Sequence, residues 1–158
     1  MNQRENLSSA DNQQERLRIS PEYIVGLVDG EGYFSVSTRR RKIDRWEVKE
    51  VALKFGIELK ESDRPLLEAI HEWFGVGKLY LKIDKRPSFT NLCMFRVERH
   101  RDIIDVIIPF FGKYPLKTPS KSRDFQRFAH IAGLVKDKKH LQSTVFERIN
   151  ILARAVHS

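Results

Sequence analysis

Residues 20–32 read SPEYIVGLVDGEG, and the reading of the whole chain turns on this stretch. Ser20 can cap a helix, Pro21 suits its first position and Glu22 its first turn, so a helix is predicted to start at Pro21. Tyr23, Ile24, Val25, Leu27 and Val28 make it apolar almost all round, the pattern of a helix covered on more than one side. Gly30 and Gly32 supply its stop. Two features stand out. Gly26 and Gly30 lie four apart, on one helix face, where the absence of a Cβ lets another backbone come close. Asp29 and Glu31 lie at the C-terminal end, where the helix dipole repels negative charge.

Each feature has an ordinary and a functional reading. The glycines could serve packing inside the chain. The chain has only one such segment, so a two-fold pairing of two copies is the economical alternative. Glu31 could be a plain surface acid. A dication at the helix end would instead reverse the unfavourable sign, and carboxylate and carbonyl oxygens are hard ligands suited to Mg²⁺. A nucleotide-binding glycine loop is excluded by order, since that loop runs from strand to helix and here the helix comes first.

After the helix, Phe34 and Val36 alternate with Ser35, Ser37 and Arg39. Val51, Leu53, Phe55, Ile57 and Leu59 alternate with Ala52, Lys54, Gly56, Glu58 and Lys60. This period of two marks half-buried antiparallel strands. The charged run between them, RRKIDRWEV, reads as a long connection. Asp63 is placed to cap a second helix with a stripe of Leu66, Ile70, Trp73 and Phe74, closed by Gly75 and Gly77. Two more strands follow around residues 79–83 and 94–98. A helix bent near Pro109 comes next, then two C-terminal helices near 122–135 and 141–156. The predicted class is α+β: an αββαββα core with a four-stranded antiparallel sheet, plus C-terminal helices. Residues 1–18 are polar and read as a mobile tail before a domain spanning 19–158.

By parity, one sheet face is apolar and the other collects Ser35, Ser37, Arg39, Lys54, Tyr80, Lys82 and Arg96. Arg40 and Arg41 extend the basic run beside that face, either as a solvated turn or as phosphate contacts. Lys136, Lys138 and Lys139 form a second basic cluster. The 29 Lys and Arg against 21 Asp and Glu leave a net charge of +8. Such a domain is suited to a polyanion, and a wet basic sheet face makes a platform for one. The apolar run IIDVIIPFF is too short, and too interrupted by Asp105 and Pro109, to cross a membrane. A single cysteine, Cys93, excludes an internal disulfide and a cysteine-based zinc site. No secretion signal is visible at the N-terminus. The five histidines show no ligand spacing, and Trp46 and Trp73 read as packing residues.

YIVGLVDGEGYF resembles the LAGLIDADG motif of the homing endonucleases, and IVGLVDGEG matches it position by position with conservative changes. FGVGKL and IIPFFGKYPLKTPSK resemble further landmarks of that family, so the likeness covers roughly residues 20–156. The resemblance implies a site-specific double-strand DNA endonuclease with a long, roughly palindromic target. Members with one motif per chain act as homodimers, here with Tyr23, Gly26, Leu27 and Gly30 at the interface. It implies Mg²⁺, with Mn²⁺ as a substitute, held by Glu31 and the carbonyl of Gly30. Lys121 would support catalysis, with Lys117 as the alternative for that place. DNA contacts would come from Ser35, Ser37, Arg39, Arg40, Arg41, Lys54, Tyr80, Lys82, Arg96 and Lys117. Leu59 departs from the pattern, since some members carry a polar residue there to position water. An intron-encoded protein of a prokaryotic nucleoid or an organelle matrix is the expected setting. An intron RNA maturase and a non-cleaving regulator of the same fold are the rivals.

Overall fold

The computed structural model describes residues 17–86 and 88–156. The expected tail therefore lies almost wholly outside the described residues, with only Leu17 and Arg18 inside and in no regular element. Helix α1 spans Pro21–Glu31, and the hydroxyl of Ser20 accepts from the Tyr23 amide at 3.1 Å. Strands β1 (Gly32–Ile43) and β2 (Trp46–Lys60) follow, then α2 (Arg64–Phe74), β3 (Lys78–Lys82) and β4 (Leu92–Val97). Residues 100–113 form α3, with a π-helical segment at Ile103–Ile107. The wide turn sits just before Pro109, which has no N–H to give to an ordinary helical ladder. Helices α4 (Pro119–Lys136) and α5 (Ser143–Val156) complete the chain.

The four strands are antiparallel in the order β1-β2-β4-β3. The helices cover one face, where Val36, Leu53, Phe55, Ile57, Cys93, Phe95 and Val97 are buried. Phenylalanine fills the centre of this core. The Phe55 ring lies 5.4 Å from those of Phe34 and Phe111, 6.2 Å from Phe74 and 6.3 Å from Phe95. Phe55→Ala would leave a void that these rings cannot all close, at a cost of about 3–5 kcal/mol. The urea midpoint should fall accordingly with an unchanged m-value.

Two expectations need correcting. The charged run between the first strands is not a loop. β1 and β2 stay paired out to Ile43 opposite Trp46, and the two residues between make a tight turn with Asp44 at φ 54°. The hydrophobic alternation fades there because both faces carry polar side chains, so the pattern could not show the ladder. Ion pairs and α5 brace the outer half instead. Arg41 pairs with Glu50, and Thr38 bonds Asn150 of α5. Lys49 donates to Ser143 Oγ and to the Leu141 carbonyl, both at 3.0 Å. The second correction is Asp63, which precedes α2 but makes no capping bond, because the chain enters α2 through a 3₁₀ turn at Glu61–Asp63.

Candidate functional site

The two acids of the opening stretch end α1 in different ways. Asp29 Oδ2 accepts the Lys117 amide at 2.9 Å. Its Oδ1 accepts the Thr118 amide at 3.1 Å and the Thr118 hydroxyl at 2.8 Å. Thr118 is the residue just before α4, at its N-cap position. Asp29 thus sits at the negative end of its own helix but serves the positive end of another, which removes the conflict noted in the sequence. Burial would raise its carboxyl; the two amides, the hydroxyl and the nearby charge of Lys121 outweigh that and hold it below the usual carboxylate value.

Glu31 is the last residue of α1 and is exposed. The Gly32 amide closes the helix on the Val28 carbonyl. The later carbonyls, that of Gly30 among them, therefore have no donor within the helix. Lys121, in the first turn of α4, donates its ammonium to the Gly32 carbonyl. The structure thus brings Glu31, the Gly30 carbonyl and Lys121 to one place. Lys117 reaches the same junction through its backbone amide, while its side chain is exposed.

One side of α1 is core: Ile24, Val25 and Val28 are buried. The other side is open among the described residues. Gly26, Gly30 and Tyr23 are exposed and Leu27 is half-buried. A Cβ built on Gly26 or Gly30 would meet nothing within 4 Å. The glycines therefore serve no close contact among the described residues. Beside them runs an apolar groove lined by Leu27, Leu59, Pro65 and Leu66, with Glu31 at its edge. Leu59 is part of this apolar wall.

The uncovered sheet face carries nearly all the expected polar residues. Cross-strand register puts Tyr33, Ser35, Ser37, Arg39 and Arg41 of β1 on it, with Lys54 of β2, Arg96 of β4, and Tyr80 and Lys82 of β3. Arg40 is the exception and corrects the expectation that it joins them. It turns to the helical side, pairs with Glu147 and Glu47, and lies 5.0 Å from the Phe146 ring centre. Its parity with Phe34 and Val36 is the signal that separates it from Arg39 and Arg41. Trp46 also differs from expectation: it is 77% exposed, at the hairpin end. Trp73 packs as expected, 5.1 Å from Phe74 and 5.2 Å from Phe110. Tyr33 was missed by the sequence reading, although its odd number in β1 marks the open face.

The sequence profile described as LAGLIDADG endonuclease matches residues 24–132. In Neurospora crassa, the protein named "Probable intron-encoded endonuclease 2" is 35% identical over 77% of this chain and 26% of its own length. "Probable intron-encoded endonuclease 3" of the same organism is 31% identical over 85% of this chain and 24% of its own length. The chain therefore spans about a quarter of these curated relatives. The solved homing endonuclease I-TnaI superposes with a TM-score of 0.73 at 27% identity, over 87% of each chain. I-SmaMI, bound to an uncleaved DNA target in the presence of calcium ions, gives a TM-score of 0.75 at 28% identity. That superposition spans 88% of this chain and 45% of the I-SmaMI chain.

Proposed function

Because this chain belongs to the LAGLIDADG endonuclease family, we propose that it is a site-specific double-strand DNA endonuclease working as a homodimer with Mg²⁺, for which Mn²⁺ can substitute. The observation that carries this reading is the meeting of exposed Glu31, the Gly30 carbonyl and the Lys121 ammonium at the end of a helix whose glycine face is uncovered. The donor set fits a hard dication. Glu31 and Gly30 offer only oxygen, and among the described residues no group of three His, Cys, Asp or Glu stands together. Mg²⁺ asks for few protein ligands and completes its shell with water and phosphate oxygens.

Each chain residue then has a task. Glu31 and the Gly30 carbonyl hold the ion, which when bound activates water and offsets charge on the phosphate. Lys121 keeps a positive charge at the same helix end, where negative charge develops as the phosphodiester is attacked. Asp29 ties α1 to the start of α4, so the carboxylate of Glu31 and the ammonium of Lys121 stay in fixed relation. Pairing of two α1 helices through Gly26 and Gly30 brings two such ends together, one for each strand of the duplex. The open sheet face carries cations to phosphates and base edges. None of the helices of the described residues is long and apolar enough to cross a membrane. A location beside genomic DNA, in an organelle or a nucleoid, is part of the proposal; fungal relatives with intron-encoded names support the organelle.

The test is to incubate the purified chain with a plasmid that carries the uninterrupted insertion locus of its gene. Linear product in Mg²⁺, with binding but no cutting in Ca²⁺, is expected. Binding without cutting in both ions would replace the nuclease with a regulator. Binding to intron RNA alone would replace it with a maturase.

A further inference from the structure

Tyr33, Gly56, Arg96 and Lys78 form one row across the four strands of the open face. Arg96 is held there from several sides. Its Nε donates to Tyr33 Oη at 3.2 Å, its Nη1 to Glu98 at 3.4 Å and its Nη2 to the Met94 sulfur at 3.6 Å. The guanidinium carbon also lies 5.1 Å from the Tyr80 ring centre. Gly56 is what lets Tyr33 take its place, since a Cβ there would stand 2.5 Å from Tyr33 Oη. A guanidinium has five N–H groups. The three bonds leave one free N–H on each terminal nitrogen of a restrained planar fork. That is the donor pattern matched by O6 and N7 of guanine in the major groove. A lysine cannot present it, and Lys54 lies 3.5 Å from Glu98.

Resting on the nuclease reading above, we infer that Arg96 is a specificity-determining residue that reads a guanine in each half of the target, and that Tyr33, seated on Gly56, is its positioning residue. The row lies next to the end of α1, because Tyr33 is only two residues from Glu31. The guanine therefore falls in the inner part of each half-site. Arg39, six residues further along β1, stands about 20 Å outward, or about six base pairs at ~3.4 Å each.

The experiment is selection from a randomised DNA duplex library, by binding in Ca²⁺ and by cleavage in Mg²⁺. The parent should require guanine at one inner position per half-site by about ten- to a hundred-fold. Replacing that base by 7-deazaguanine, which lacks the N7 acceptor, should weaken the parent. Arg96→Lys keeps the charge and loses the fork. It should lose the guanine preference and ignore 7-deazaguanine, with preferences at other positions unchanged. Tyr33→Phe removes only the phenol oxygen and should lower the preference several-fold while leaving preferences elsewhere intact. A selected site whose inner positions respond equally to the parent and to Arg96→Lys would overturn the inference while leaving the nuclease standing. A parent that selects no duplex at all would remove the nuclease reading, and this inference with it. Circular dichroism of each variant separates a misfolded chain from a changed preference.

Discussion

Glu31→Gln is expected to bind its DNA target in Ca²⁺ as the parent does and to cleave it in Mg²⁺ at least about 10²–10³-fold more slowly. Glutamine has the same shape and keeps one oxygen donor, so what the variant loses is negative charge. Glu31 is exposed at the helix end, and a surface change of this kind alters stability within about 0.5 kcal/mol. Removing the charge even relieves repulsion from the negative end of α1. The variant should therefore melt at or slightly above the parent temperature, and its defect should appear in single-turnover cleavage alone. Parental cleavage rates in Glu31→Gln would exclude the carboxylate from the chemistry. A variant that also lost DNA binding would move Glu31 from catalysis to recognition.

Gly26→Leu is expected to separate the proposed dimer while making the single chain more stable. Among the described residues, a Cβ at Gly26 meets nothing within 4 Å, so a side chain can leave the helix there without a backbone clash. Leucine also favours a helix interior over glycine by about 1 kcal/mol. At a two-fold interface the same side chain enters twice. Each intrusion into a tight contact costs about 1–3 kcal/mol, which together weakens association by roughly 30-fold to 10⁴-fold. Sedimentation velocity at micromolar concentration should show monomer, and double-strand cleavage should fall with it. A dimer of parental affinity would place the interface elsewhere. A protomer with a lower melting temperature would mean that the glycine is needed inside the chain after all.

Much of this architecture could be read from residues 20–60, because one face of each element is dry and the other wet. Ser20 and Pro21 placed the start of α1, and the alternation through Val51, Leu53, Phe55 and Ile57 placed the core half of β2. The reading stopped where both faces turn polar. Ile43 to Trp46 carries no alternation, so the hairpin end looked like a connection and Trp46 like a packing residue. The site was legible as a set of residue types, but its wiring was not. The bonds from Asp29 to Lys117 and Thr118 span 88 and 89 positions, and no local pattern signals a contact of that range. The same holds for Arg40, whose partner Glu147 comes from the last helix. Lys121 meets the Gly32 carbonyl because Asp29 holds Thr118, the residue just before α4.

α1 ends at Glu31 and β1 begins at Gly32, with no residue between them. In an enzyme of the kind proposed, the blade and the ruler are one continuous piece of backbone. The offset from the severed bond to each recognised base is then set by strand pitch and cannot be retuned by a hinge. One inserted residue would swap the two faces of everything downstream. Such a lineage can follow a changing host sequence letter by letter, through side chains, while the phase of its footprint stays as it was.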